Sequence, residues 1–87
     1  MYKRQSESKA IEFQIFPNPI QDEINIQGDL HGKILKIYDV KGIILESIEL
    51  TKNQASIPFY EHTKGMYFIK IIDPNNKNVS SKIISKI

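Results

Sequence analysis

The stretch Gly65-Met66-Tyr67-Phe68-Ile69-Lys70-Ile71-Ile72 decides the fold. Tyr67, Ile69 and Ile71 share one parity, and Met66, Phe68 and Ile72 share the other. Aromatic and β-branched side chains at this density suit a pleated surface, and strict alternation assigns each set to one face of a strand. With both faces apolar, the segment reads as a central strand opened by Gly65. It contains a lysine and falls far short of the ~20 apolar residues that span a bilayer.

Working outward, Asp73-Pro74-Asn75-Asn76-Lys77-Asn78 is a strong turn signal. Beyond it Val79, Ile83 and Ile87 lie on one side of a final strand, with Lys82 and Lys86 on the other. Lysines so placed read as a solvated face that discourages edge pairing. Toward the N-terminus, Phe59 to Lys64 is a connection, and Pro58 puts the short strand Gln54 to Ile57 at an edge or ends it there. Ile43 to Leu50 is a strand whose apolar parity slips between Leu45 and Ile48, which predicts a bulge near Glu46-Ser47. It pairs back on Lys33 to Tyr38 through Asp39-Val40-Lys41-Gly42, a tight turn in which Gly42 supplies the left-handed residue. Gly28 to Gly32 is a turn, and Asp22 to Gln27 alternates with Ile24 and Ile26 on one face. Phe13 and Ile15 suggest a first strand broken at Pro17-Asn18-Pro19, because each proline removes a ladder donor. About seven short strands, with turns every 8–12 residues and no helical period, define an all-β protein: a two-sheet antiparallel sandwich. Residues 1–10 are polar without periodicity and read as a flexible linker or arm, leaving 11–87 as the folded domain.

Composition narrows the function. At 87 residues and 10.1 kDa the chain is one small domain, with room for a thin core but not for a deep substrate cavity. Seventeen isoleucines stand against four leucines and two alanines, again favouring strands. The absence of cysteine excludes disulfides, thiolate metal sites and thiol nucleophiles. Twelve basic and ten acidic residues give +2 without a basic stripe, which argues against nucleic acid. Met1 to Ala10 has positive charge but no apolar core, so it is not a secretory signal; if the domain is exported, its signal lies upstream.

No constellation carries catalysis. His31 and His62 have no ligand-spaced neighbours, and Asp22 and Glu23 are adjacent, hence on opposite strand faces. The serines lie in no nucleophile elbow. Asp73 and Asn75 resemble the start of a calcium loop, but Pro74 and Lys77 spoil it. The chain therefore reads as non-enzymatic, with no cofactor or metal. Exposed rings among Tyr2, Tyr38, Phe59, Tyr60, Tyr67 and Phe68 could build a sugar platform, although tryptophan is lacking.

Three features in this order carry a family likeness: Phe16-Pro17-Asn18-Pro19 before an alternating strand, Ile37-Tyr38-Asp39-Val40-Lys41-Gly42, and Gly65-Met66-Tyr67-Phe68-Ile69-Lys70-Ile71 before a short lysine-bearing strand. Together, over about residues 13–87, they resemble the C-terminal sorting domain of the type IX (Por) secretion system of Bacteroidota. The resemblance implies a seven-stranded immunoglobulin-like β-sandwich that acts as an address label on a larger secreted protein. It implies recognition by the outer-membrane translocon, and removal by a sortase-like surface peptidase with a cut roughly between Ser6 and Glu12. The cargo then ends at the surface, lipopolysaccharide-linked, or free outside the cell. By position, Pro17, Asn18 and Pro19 match the early motif, Asp39 and Gly42 the central turn, and Gly65 and Tyr67 the late motif. Lys82, Ile83, Ile84, Ser85, Lys86 and Ile87 match the terminal strand, where recognition is expected to concentrate. Tyr60-Glu61-His62-Thr63-Lys64 departs from the Leu-Ser-type lead-in usual there. The competing class is an accessory carbohydrate-binding or fibronectin-like adhesion module.

Overall fold

The computed structural model describes residues 11–17 and 19–87; the arm expected over 1–10, and Asn18, lie outside the described residues. Alternation sets each strand as the sequence predicts: β1 (Phe13–Phe16), β2 (Glu23–Gly28), β3 (Ile34–Tyr38), β4 (Ile44–Glu49), β5 (Gln54–Pro58), β6 (Gly65–Ile72) and β7 (Val79–Lys86). They form a three-stranded sheet in the order β1-β2-β5 and a four-stranded sheet in the order β4-β3-β6-β7, with every strand pair antiparallel. The inward parity of both sheets supplies the core. Ile24 and Ile26 of β2 and Ile57 of β5 meet Leu35, Ile37, Tyr67, Ile69, Ile71 and Ile84 of the larger sheet. Ile20, Leu30, Leu50 and Phe59, from the connections, close its ends. Pro58 ends β5 on the edge of the smaller sheet, where a missing ladder donor costs nothing.

One expectation holds with a qualification, and two need correction. β6 is central in its sheet, but its second face is not covered: Met66 is 50% exposed, and Phe68 and Ile72 are only half-buried. A chain this short forms two layers, so the outer parity of a central strand stays at the surface. The bulge falls one residue earlier than expected. Register shifts between Ile37/Glu46 and Tyr38/Ile44, so the extra residue is Leu45, which turns partly inward and packs on the core.

The largest correction concerns β7. Val79, Ile83 and Ile87 are the solvated side, at 52%, 60% and 55% exposure, whereas Lys86 is only 8% exposed and shares the inward parity of Ile84. Lys82 and Lys86 sit where the two sheets diverge at the rim, so their stems lie along apolar surface while the ammonium groups reach backbone carbonyls.

Candidate functional site

The motif residues, scattered in sequence, gather at one end of the sandwich. Gly65 pairs with Lys86 and Tyr38 with Phe68, so the turn after Tyr38, the start of β6 and the end of β7 are neighbours. Ile20, which follows Pro19, is fully buried and lies against the end of β7. There the Ile20 N–H donates to the Ser85 carbonyl at 2.8 Å and the Ile87 N–H donates to the Ile20 carbonyl at 3.0 Å, a parallel bridge around Lys86. Ile20, directly after Pro19, therefore fastens the terminal strand.

Asp39 organises the central turn. Its carboxylate oxygen Oδ1 accepts from the Lys41 N–H at 2.8 Å and the Ile43 N–H at 3.0 Å, and its carbonyl accepts from the Gly42 N–H at 3.0 Å. Gly42 has φ 85°, the left-handed conformation expected of it. Replacing Asp39→Ala removes two hydrogen bonds to one carboxylate oxygen in an exposed turn and is expected to cost about 1 kcal/mol, read as a lower urea midpoint with unchanged slope.

The late motif anchors the β5–β6 connection. Tyr67 is buried at 5% exposure, its ring edge-on to Phe59 at 4.8 Å, and its hydroxyl donates to the Thr63 carbonyl. This is the core ring with a polar rim that its position suggests. Lys86 completes the clamp from β7: its Nζ donates to the Phe59 carbonyl at 2.7 Å and the His62 carbonyl at 2.6 Å, and lies 5.7 Å from the Phe59 ring centroid. Gly65 has φ 146°, and a Cβ there would meet nothing within 4 Å. Sequence reasoning did not single out Ile20, Thr63 or the backbone of Phe59 and His62. The signal available for that loop was the aromatic pair Phe59 and Tyr60 beside His62, read as a connection and as candidate sugar-platform rings.

Of the remaining terminal residues, Ile84 is core, while Ile83, Ser85 and Ile87 face solvent. Lys82 donates to the Phe13 carbonyl at 2.6 Å and lies over the Phe13 ring at 4.9 Å, while the Ile11 N–H donates to Ser80 Oγ at 2.8 Å. Side chains of β7 thus cap the outer edge of β1. Among the described residues no cluster of three metal-ligating side chains occurs. His62 faces Glu46 at 3.8 Å as a partly buried pair. Of the six rings offered as a sugar platform, Phe59 and Tyr67 are buried and Tyr2 lies outside the described residues.

These features define a two-sheet antiparallel β-sandwich whose last strand is fastened by Ile20 and by the Lys86 bonds to the Phe59 and His62 carbonyls. The family model for the secretion system C-terminal sorting domain matches residues 14–86, and the chain belongs to that family. It is a C-terminal sorting domain of the type IX secretion system, itself non-catalytic, that interacts with the secretion machinery and directs passage across the outer membrane to the surface or the exterior. A funoran endo-beta-hydrolase of Wenyingzhuangia aestuarii is 33% identical over 73 residues, covering 80% of this chain and 10% of that protein. The chain thus spans about a tenth of that relative's length, and the activity in its name is that relative's own. The fold matches PorZ, described as an essential bacterial surface component of the type IX secretion system of Porphyromonas gingivalis. That match has a TM-score of 0.75 at 22% identity, over 86% of this chain and 11% of that one.

Proposed function

We propose that the folded domain is read by the outer-membrane translocon through β7 and Ile87, and that a sortase-like peptidase cuts between Ser6 and Glu12 to free the upstream cargo. The observation that carries this reading is the bridge of Ile20 onto Ser85 and Ile87. Ile20, directly after Pro19, holds the last strand in one fixed geometry. Pro17, Asn18, Pro19, Asp39, Gly42, Gly65 and Tyr67 then act as scaffold, and the outward residues Ile83, Ser85 and Ile87 as the readable surface. Lys82 and Lys86 serve recognition indirectly, by holding β7 in place.

The test is export of a Sec-targeted fluorescent reporter carrying this chain at its C-terminus, in a Bacteroidota host with and without a working type IX translocon. Deleting Ser85–Ile87 also removes Lys86, so that truncation perturbs folding and recognition together. Ile83→Ser and Ile87→Ser separate them, because surface changes of this kind keep stability within about 0.5 kcal/mol. Translocon-dependent export that falls several-fold in these variants is the expected result. Export at the parental level in both would show that β7 is not the element read.

A further inference from the structure

The outer face of the four-stranded sheet is ordered in rows that its own fold does not use. Ile44, Tyr38, Phe68 and Ile83 lie side by side across all four strands, and Ile34, Ile72 and Val79 form a second apolar row across three. Between them runs Lys36-Lys70-Ser81. Two lysines directly opposite one another on a sheet repel, which is a cost without a folding benefit. Among the described residues neither has a carboxylate within ion-pair distance, and the Lys70 ammonium lies over the Tyr38 ring at 5.1 Å.

All three rows end on β7, an edge strand. The Ile20 bridge shows that the backbone groups of Ser85 and Ile87 point away from β6. By alternation those of Val79, Ser81 and Ile83 point the same way. Among the described residues no hydrogen bond reaches them, because Ile20 covers the edge only at its far end. A strand added here would extend each row by one residue: an apolar side chain beside Ile83, one beside Ser81 and an apolar one beside Val79. The middle position would lie about 10 Å from the β6 backbone, within joint reach of a glutamate there and Lys70.

We infer that this edge accepts an extended segment of the secretion machinery with the pattern apolar-x-acidic-x-apolar, paired along β7 from Val79 to Ile83 with its carboxylate turned to Lys70, and with Lys36 adding positive charge from the next strand. The inference rests on the sorting reading and gives it a partner chemistry. Backbone pairing supplies affinity, while the flanking apolar rows and the central lysines supply register and choice of partner.

The probe is a synthetic peptide, Thr-Val-Thr-Glu-Thr-Val-Thr, with a counterpart carrying lysine in place of glutamate. Binding to the whole chain is followed by NMR at low salt. The glutamate peptide is expected to protect the Ser81 and Ile83 amides from exchange, and Lys36→Glu with Lys70→Glu to weaken it by about tenfold or more. That double variant replaces surface side chains and keeps the fold. Ile83→Pro removes an outward donor without breaking a bond to β6, and abolishes binding. Equal binding of both peptides, or binding without protection of these amides, overturns the inference. So does binding of phosphatidylglycerol vesicles but not of the glutamate peptide, which would make the face a lipid surface. In the export assay, equal export of parent and double variant defeats this inference alone, whereas a parent that is not exported defeats the sorting reading itself.

Discussion

Gly28→Ala is expected to destabilise the domain by about 3 kcal/mol or more, a large share of the ~4–13 kcal/mol available to a chain of this size. The cause is backbone proximity. β1 runs beside Gly28 with Phe13 as its register partner, and a Cβ there would stand 2.4 Å from the Glu12 carbonyl oxygen and 2.6 Å from the Phe13 Cα. Neither can swing aside as a side-chain tip would, so β1 must move as a unit. Its register with β2, the Asp29 N–H to Glu12 carbonyl bond, and the burial of Phe13 at 5% exposure all depend on that close approach. The damage extends to the other sheet, because Lys82 and Ser80 of β7 hold the Phe13 carbonyl and the Ile11 N–H. Thermal unfolding should show a midpoint about 15 °C lower, together with faster amide exchange at Ile11 and Asp29. An unchanged midpoint would mean that β1 adds little to the fold.

How much of this was legible in the sequence follows from what alternation can encode. Period two located the seven strands, and proline placed β5 at an edge, because both are local rules about one chain segment. The family motifs were legible as turn and strand chemistry: Asp39 and Gly42 need no tertiary context to form their turn. What alternation cannot say is which parity faces in when one carries isoleucine and the other lysine. For β7 the apolar set Val79, Ile83 and Ile87 looked like the inner face, yet the single Ile84 took the core position. Two features of the other sheet decided that outcome: the unpaired carbonyl of Phe13 on the β1 edge, and the carbonyls of Phe59 and His62 on a loop. These acceptors are distant in sequence and exist only once both sheets have formed. The same gap hid the role of Ile20, whose partner lies more than sixty residues away.

Lys86→Met is expected to cost about 2 kcal/mol, more than twice the cost of Lys82→Met, although both changes remove a charge from the same strand. Methionine keeps the apolar stem of Lys86 and deletes its ammonium, leaving the His62 carbonyl without this donor and the Phe59 carbonyl with only the His62 N–H at 3.2 Å. The bond lost at the Phe59 carbonyl is buried, and the His62 N–H that remains there leaves one lone pair unused; the His62 carbonyl is partly buried and recovers some solvation. Relief of ammonium desolvation offsets part of this, and the Phe59 carbonyl keeps one bond, so the expected loss is below that of two orphaned acceptors. Lys82 has one such bond and sits at an exposed rim position, where water can take over. The Lys86 contribution should also persist in high salt, since its acceptors are carbonyl dipoles in a buried site and no carboxylate pairs with it among the described residues. Denaturant unfolding of both variants at low and high salt checks each point; equal small effects would show that the loop clamp is energetically idle. If the clamp operates as described, loss of the final residues lowers stability and frees the Phe59–Lys64 loop at once. An export defect in such a truncation would then reflect a strand no longer held for reading as much as the residues removed.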